Sequence, residues 1–320
     1  MEAQDFLLVA ACTLGFISIC RASLLFVKWV WAMFLRPPKN LKQYGSWVII
    51  TGSTDGIGKA IAMEMASKGL NLVLVGRNPL KLEVTLKEIT DKHGEKVEVK
   101  LVVLDLEKAS GVEIVKKIEE ATEGLDVGIL VNNAGLAYPY ARFFHEVDTK
   151  LMDEIIKVNV EGASWVAKAV LPAMIKKKKG AIVNIGSGST VVIPSYPLYT
   201  VYAATKSYLA MFSRCISLEY ERQGIDVQCQ FPLFVETKMT KLRASMFVPS
   251  PEMYGKACMR WIGYDSMCVP YCLHSIQCLL LKAIPDALLN WYILRSFLSV
   301  RKRGLLKDSK VKASASSKAN

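Results

Sequence analysis

From Trp47 to about Ser245, short β-branched runs alternate with helical stretches without a break. Residues 47–50, 72–75, 97–104, 127–131, 181–185 and 226–230 read as six strands. Helices are expected from the 52–58 turn through Lys68 and over 79–91, 111–122, 150–171 and 201–223. Strands separated by helices of this length pair in parallel, because each helix serves as the crossover back to the sheet. The expected fold is therefore α/β, a doubly wound parallel sheet occupying residues 45–248. A chain of 320 residues has room for that domain and for an extension at each end.

The two extensions differ in character. Residues 6–20 are an apolar or small-polar run, Arg21 interrupts it, and 22–35 continue apolar apart from Lys28. The length suits a membrane span of about 20 residues, and Arg21 and Lys28 are long enough to snorkel to an interface. Glu2 and Asp5 stand where a cleaved signal peptide would carry a basic patch. Residues 1–44 are thus expected to be a membrane anchor and linker. The basic flank at Arg36 and Lys39 places the downstream domain on the cytoplasmic side. Residues 249–306 form a second hydrophobic segment, rich in Leu, Ile, Trp and Cys over 269–300 but broken by Lys282, Pro285, Asp286 and Arg295. The breaks favour membrane-contacting helices or a substrate lid over a second span. Residues 307–320, rich in Lys, Ser and Ala, read as a disordered basic tail.

Forty-one basic against 29 acidic residues give a net charge of +12. No basic stripe interleaved with aromatics accompanies the excess, so nucleic acid is not the expected partner. Much of the charge lies at 176–179, at 301–303 and in the tail, where it suits solvated surface, an anionic membrane face or a polyanionic substrate such as an acyl-coenzyme A. The eight cysteines and three histidines show no metal-ligand spacing, and reduced, buried thiols are the simplest reading.

Thr51-Gly52-Ser53-Thr54-Asp55-Gly56-Ile57-Gly58 follows a strand and precedes a helix. Glycines at that place let the backbone approach a pyrophosphate, which the helix N-terminus then binds. A glycine-rich turn in isolation is often only a turn; here its context points to a dinucleotide. After the second strand stands Gly76-Arg77-Asn78, with no carboxylate to bind a ribose 2′-hydroxyl, so Arg77 would meet a 2′-phosphate and NADPH is the expected cofactor. Asp105, ending the third strand, suits an adenine amino group or a cap. Asn132, Asn133, Ala134 and Gly135 would form a tight turn on the nicotinamide side. Tyr202 and Lys206 stand four apart on one helix face, where an ammonium group is expected to lower the pKa of the phenol and make it a proton donor. Asn159 reads equally as a buried polar residue or as part of a proton relay. Ser187, two residues beyond the fifth strand, and Ser189, thirteen before Tyr202, both suit a hydroxyl that polarises a carbonyl. The strand-relative place favours Ser187.

Taken in order, the glycine turn, the Asn132–Gly135 run, Asn159, the serines and the Tyr202–Lys206 pair resemble the short-chain dehydrogenase/reductase family over residues 45–245. The membrane-bound branch of very-long-chain 3-oxoacyl-CoA reductases and steroid 17-beta dehydrogenases is more similar still. Residues 36–41 and 135–147 look most like the plant 3-oxoacyl-CoA reductases of fatty-acid elongation. The resemblance implies a Rossmann-type fold and NADPH-dependent reduction of a long-chain 3-oxoacyl-CoA at the endoplasmic-reticulum membrane, with elongase subunits as partners and oligomers within the family's range. Reduction of a 17-ketosteroid is the main rival, and a non-catalytic subunit of an elongation complex is a further alternative. The resemblance also implies Tyr202 as proton donor, Lys206 on the nicotinamide ribose, a serine on the carbonyl oxygen, Asn159 on a water chain and Thr237 on the carboxamide. Two departures stand out: Pro232-Leu233 replaces the family's Pro-Gly, and the C-terminus lacks the second lysine of a retrieval signal.

Overall fold

The computed structural model describes residues 3–319. The chain divides after Pro38 into two compact units. In the first, helix α1 (Ala3–Val30) runs on through a π-turn at Trp31–Leu35. Gln4–Leu35 is 32 residues long; its most apolar stretch has a mean hydropathy of 1.9, and none of that stretch is buried. At about 1.5 Å per residue this exceeds the ~30 Å hydrocarbon core of a bilayer, so the helix is long and apolar enough to cross one.

The second unit is the α/β domain. Its strands are β1 (Trp47–Thr51), β2 (Asn71–Gly76), β3 (Val99–Val103), β4 (Val127–Asn132), β5 (Gly180–Ile185), β6 (Ile225–Gln230) and β7 (Met267–Cys268). They form one sheet in the order β3-β2-β1-β4-β5-β6-β7, and every neighbouring pair is parallel. Its helices are α2 (Gly56–Ser67), α3 (Pro79–His93), α4 (Gly111–Thr122), α5 (Thr149–Ile156), α6 (Ala163–Lys177), α7 (Thr200–Tyr220), α8 (Pro251–Trp261), α9 (Cys272–Lys282) and α10 (Asp286–Ala319).

Successive strand residues face opposite sides, and both sides are covered. Val48 and Ile50 pack with Ile61 and Met65 of α2 and Tyr254 and Cys258 of α8. Ile49 and Leu130 pack on the other face with Ile114 and Ile118 of α4, Val166 and Val170 of α6 and Ile216 of α7. This explains why the strands read as continuous apolar runs. Each such side chain, fully buried, contributes about 1.5–3 kcal/mol. The strand order reverses between β1 and β4, which opens a crevice beyond their C-terminal ends where open α/β sheets bind ligands.

Several elements differ from the sequence expectation. The helix read over 150–171 is two helices, α5 and α6, joined by a π-turn at Lys157–Gly162. α8 was not foreseen, although Ser250 caps it by accepting from the Met253 N–H and Pro251 starts it. β7 is too short for any periodicity. α9 and α10 are bent by 119° relative to one another, because Pro285 cannot continue the first helix. The tail beyond Lys307, expected to be disordered, continues α10. Alanine and lysine are good helix formers, and extending a formed helix costs little.

Candidate active site

The site begins where β1 gives way to α2. Gly52 and Gly56 hold φ values of +64° and +50°, which side chains other than glycine's resist. Gly58 is glycine for lack of space: a Cβ there would stand 2.3 Å from Asn133 Nδ2 and 2.3 Å from the Gly52 carbonyl oxygen. Asp55 caps α2 by accepting from the Gly56 N–H at 2.8 Å, and pairs with Lys238. Its carboxylate thus serves the helix end, while the backbone of the turn faces the crevice. Ser53 is fully buried and donates to the Val75 carbonyl at 3.3 Å. Thr54 lies against Gly76, and Ile57 packs on the core.

Across the crevice, the end of β4 is stitched to this turn. The Asn133 side chain donates to the carbonyls of Thr51 and Gly52, both at 3.1 Å. Thr51 Oγ1 accepts from the N–H groups of Asn133 and Ala134 at 3.0 and 3.1 Å. Asn132 behaves differently from its neighbour. It is turned into the sheet, donating to the Ala163 carbonyl at 3.1 Å and to Asn184 Oδ1 at 2.9 Å, away from the crevice it was expected to line. Asn184 passes the chain on to Ser213.

Gly135 brings the β4 loop beside the buried Lys206: a Cβ on it would lie 3.4 Å from the lysine Nζ and 3.6 Å from Asn159 Oδ1. Asn159 sits within the π-turn, whose extra residue aims its side chain into this gap. It accepts from the Leu136 N–H at 2.7 Å and donates to the Leu136 carbonyl and to Thr205 Oγ1, both at 2.9 Å.

Lys206 Nζ donates to the Ile185 carbonyl at 2.8 Å. Burial lowers its pKa from the ordinary 10.5 to about 8, partly opposed by the buried Cys229 thiol. The Tyr202 phenol is raised by burial, with the adjacent Ser187 hydroxyl pulling the other way. The expected lowering by Lys206 is therefore not seen in this structure, since the ammonium group is directed at a strand-end carbonyl and is itself poorly solvated. Ser187 is the serine beside the phenol. Ser189 stands behind it, its N–H and hydroxyl donating to Ser187 Oγ at 3.2 and 3.0 Å.

Beyond Tyr202 lies an aromatic wall that sequence reasoning missed. Tyr196 has its ring centroid 6.4 Å from that of Tyr202 and 4.8 Å from Phe297 of α10. Tyr199 is 5.1 Å from the same phenylalanine. Ser195 donates to Asn290 at 2.5 Å, Arg301 pairs with Glu146, and Tyr140 donates to Asp308 at 2.6 Å, so α10 is held beside the site at three points. No spacing rule connects residue 297 with residue 196.

At the other end of the crevice, Arg77 follows β2 and pairs with Glu107. Asp105 Oδ1 accepts from the Glu107 N–H at 3.1 Å. Thr237 lies over the turn, its Cγ2 3.1 Å from where a Gly56 Cβ would be.

The family model for short chain dehydrogenases matches residues 46–246. The chain belongs to the short-chain dehydrogenase family. Within it, the chain is 44% identical over 310 residues to a very-long-chain 3-oxoacyl-CoA reductase-like protein of Arabidopsis thaliana, covering 95% of this chain and 97% of the relative. It is 43% identical over 256 residues to a human protein named inactive hydroxysteroid dehydrogenase-like protein 1, covering 78% and 76%. Among solved structures, a Sphingobium yanoikuyae short-chain dehydrogenase in complex with NADPH superposes with a TM-score of 0.61 at 27% identity, over 75% of this chain and 97% of that one. The seven-stranded sheet is the Rossmann-type fold of the family, and the family makes this chain an oxidoreductase of the NAD(P)(H)-binding kind. The glycine cradle at the start of α2 fits a dinucleotide pyrophosphate.

Proposed function

We propose that this protein is an NADPH-dependent reductase that converts the 3-oxo group of a very-long-chain 3-oxoacyl-CoA to the 3-hydroxy group. The observation that carries the reading is the Tyr202 phenol, half-buried at the crevice, with Ser187 beside it and Lys206 one helical turn on. It is supported by the near full-length likeness to the Arabidopsis reductase-like protein. Gly52, Gly56 and Gly58 would cradle the pyrophosphate and Arg77 a 2′-phosphate. Asn133, Ala134, Gly135 and Thr237 would border the nicotinamide, and Asp105 the adenine. NADPH, when bound, supplies the hydride and its ribose hydroxyls.

Tyr202 donates its proton to the carbonyl oxygen, and Ser187 orients that oxygen by hydrogen bonding. Ser189 holds the Ser187 hydroxyl in place from behind. A raised phenol pKa makes a sluggish acid at neutral pH, so the Lys206 ammonium has to favour the phenolate as it forms. Asn159 keeps the 134–136 backbone fixed beside that ammonium. The aromatic wall of Tyr196, Tyr199 and Phe297 excludes water and suits an apolar acyl chain.

The setting we propose is the endoplasmic-reticulum membrane, with residues 1–44 as anchor, the domain facing the cytoplasm and other elongase subunits as partners. The test is NADPH oxidation by the reconstituted protein, with a long-chain 3-oxoacyl-CoA and a 17-ketosteroid offered in parallel. Preference for the acyl-CoA supports the reading; preference for the steroid replaces the substrate and keeps the chemistry. One human relative is named inactive, which makes a non-catalytic role the second reading. Tyr202→Phe decides between these, because loss of turnover with retained NADPH binding excludes it and unchanged turnover removes Tyr202 as the acid.

A further inference from the structure

His274 of α9 is fully buried and bonds to the backbone that leaves β6. The Leu233 N–H donates to its Nδ1 at 3.3 Å, and its Nε2 lies 3.1 Å from the Phe234 carbonyl oxygen. An amide N–H can only donate, so Nδ1 is the acceptor and the ring proton sits on Nε2, where it donates to Phe234. Burial favours this neutral form, lowering the imidazole pKa from 6.5 to about 4. Tyr254 and Tyr271 pack against the ring with centroids at 5.9 and 5.0 Å and fix its plane.

The bonded segment reaches both halves of the site. On one side, the Pro232 carbonyl accepts from the Gly188 N–H at 2.8 Å, and Gly188 is the residue between Ser187 and Ser189. The Leu233 side chain fills the space over that glycine, 3.1 Å from where its Cβ would be. On the other side, the same segment continues to Thr237 over the cofactor turn. We infer that His274 is a positioning residue, locking the 232–235 backbone in the path that holds the serine turn and lays Thr237 against Gly56. This rests on the proposed roles of Ser187 and the glycine turn. His274 itself touches no reacting group; its bonds to Leu233 and Phe234 replace what backbone flexibility would otherwise leave undetermined after Pro232.

The test compares the full-length protein in detergent with His274→Phe, which keeps a ring of similar size and loses both bonds, and His274→Gln, which restores a donor and an acceptor. Hydrogen exchange is followed by peptide, and NADPH affinity by fluorescence titration. In H274F, amides of 186–190 and 231–237 should exchange at least about tenfold faster while β1 peptides are unchanged, because local bonds open without global unfolding. NADPH should bind several-fold more weakly, and turnover should fall about 10–100-fold, as expected for catalytic groups misplaced by about 1 Å. H274Q should recover much of each loss. Unchanged exchange in those two segments overturns the inference, and so does accelerated exchange with unaltered NADPH affinity and turnover. Equal impairment of H274F and H274Q assigns the effect to ring packing and also overturns it. The exchange readout needs no substrate, so a wild-type protein inactive on 3-oxoacyl-CoA would defeat the proposed function and leave this test standing.

Discussion

Replacing Lys206 by Met should stabilise the protein at neutral pH while abolishing its activity. The ammonium is buried and its pKa is lowered from 10.5 to about 8. At about 1.36 kcal/mol for each pKa unit, the charged form costs the folded state about 3 kcal/mol at pH 7. Methionine keeps the apolar stem and removes the charge, but forfeits the bond to the Ile185 carbonyl, worth about 1 kcal/mol. The net expectation is a gain of about 2 kcal/mol at pH 7, or roughly 4–8 °C in Tm for a domain of this size. The sign with pH follows from linkage. A lysine whose folded pKa is depressed binds a proton in the unfolded chain and none in the folded one between about 8 and 10.5, so its penalty is relieved as pH rises through that window. Near pH 9.5 the remaining penalty is about 1 kcal/mol, and the advantage of the methionine variant should nearly vanish. Near-UV circular dichroism melts of both full-length proteins at the two pH values measure it. A variant less stable than wild type at pH 7, or a Tm difference independent of pH, refutes the picture of a desolvated ammonium. Turnover should drop about 10²–10⁴-fold in the variant.

Three further outcomes are expected. Asn159→Ala leaves the Leu136 N–H and carbonyl and the Thr205 hydroxyl without their partner; it should lose about 2–4 kcal/mol of stability in urea unfolding, and an unchanged midpoint would deny Asn159 its place in holding the loop. Gly58→Ala puts a Cβ into the Asn133 side chain and the Gly52 carbonyl, and NADPH titration should show affinity weakened about tenfold or more, since the two halves of the crevice must part. Arg77→Ala should weaken NADPH binding by about 10–100-fold, the value of a charge-assisted hydrogen bond, and leave NADH nearly unaffected. Equal losses for the two cofactors would show that Arg77, already paired with Glu107, does not read the 2′-phosphate.

What the sequence made legible was decided by backbone geometry. The strand runs and the glycine turn could be read because buried parallel strands demand apolar residues on both faces and positive φ favours glycine. Side-chain direction was less accessible. Asn132 and Asn133 look alike in the sequence, yet the first is the last residue of β4 and points into the sheet, while the second is beyond the strand and bonds the turn. Ser187 and Ser189 were likewise equivalent in type; the structure places the first beside Tyr202 and the second behind it. The four-residue spacing of Tyr202 and Lys206 was correct for a shared helix face. It did not reveal that the ammonium would turn to Ile185, which depends on where β5 ends.

The C-terminal extension was the least readable part, and the reason bears on function. Its residues reach the site one at a time from a bent helix pair: His274 beneath the β6 loop, Asn290 on Ser195, and Phe297 against Tyr196 and Tyr199. No local periodicity encodes such contacts, because each is a long-range packing event. The Tyr202, Ser187 and Lys206 set would act on any suitably placed carbonyl, so it does not choose between an acyl-CoA and a steroid. On the proposed function, the groups facing the substrate beyond the carbonyl would come from the 195–199 loop and from α10, whose Phe297 packs on Tyr196 and Tyr199. On the proposed reading, discrimination between substrates therefore resides in the aromatic wall and in the ties that seat α10, Arg301 on Glu146 and Tyr140 on Asp308. Loosening those ties should alter which ketones are accepted well before it alters the proton transfer at Tyr202.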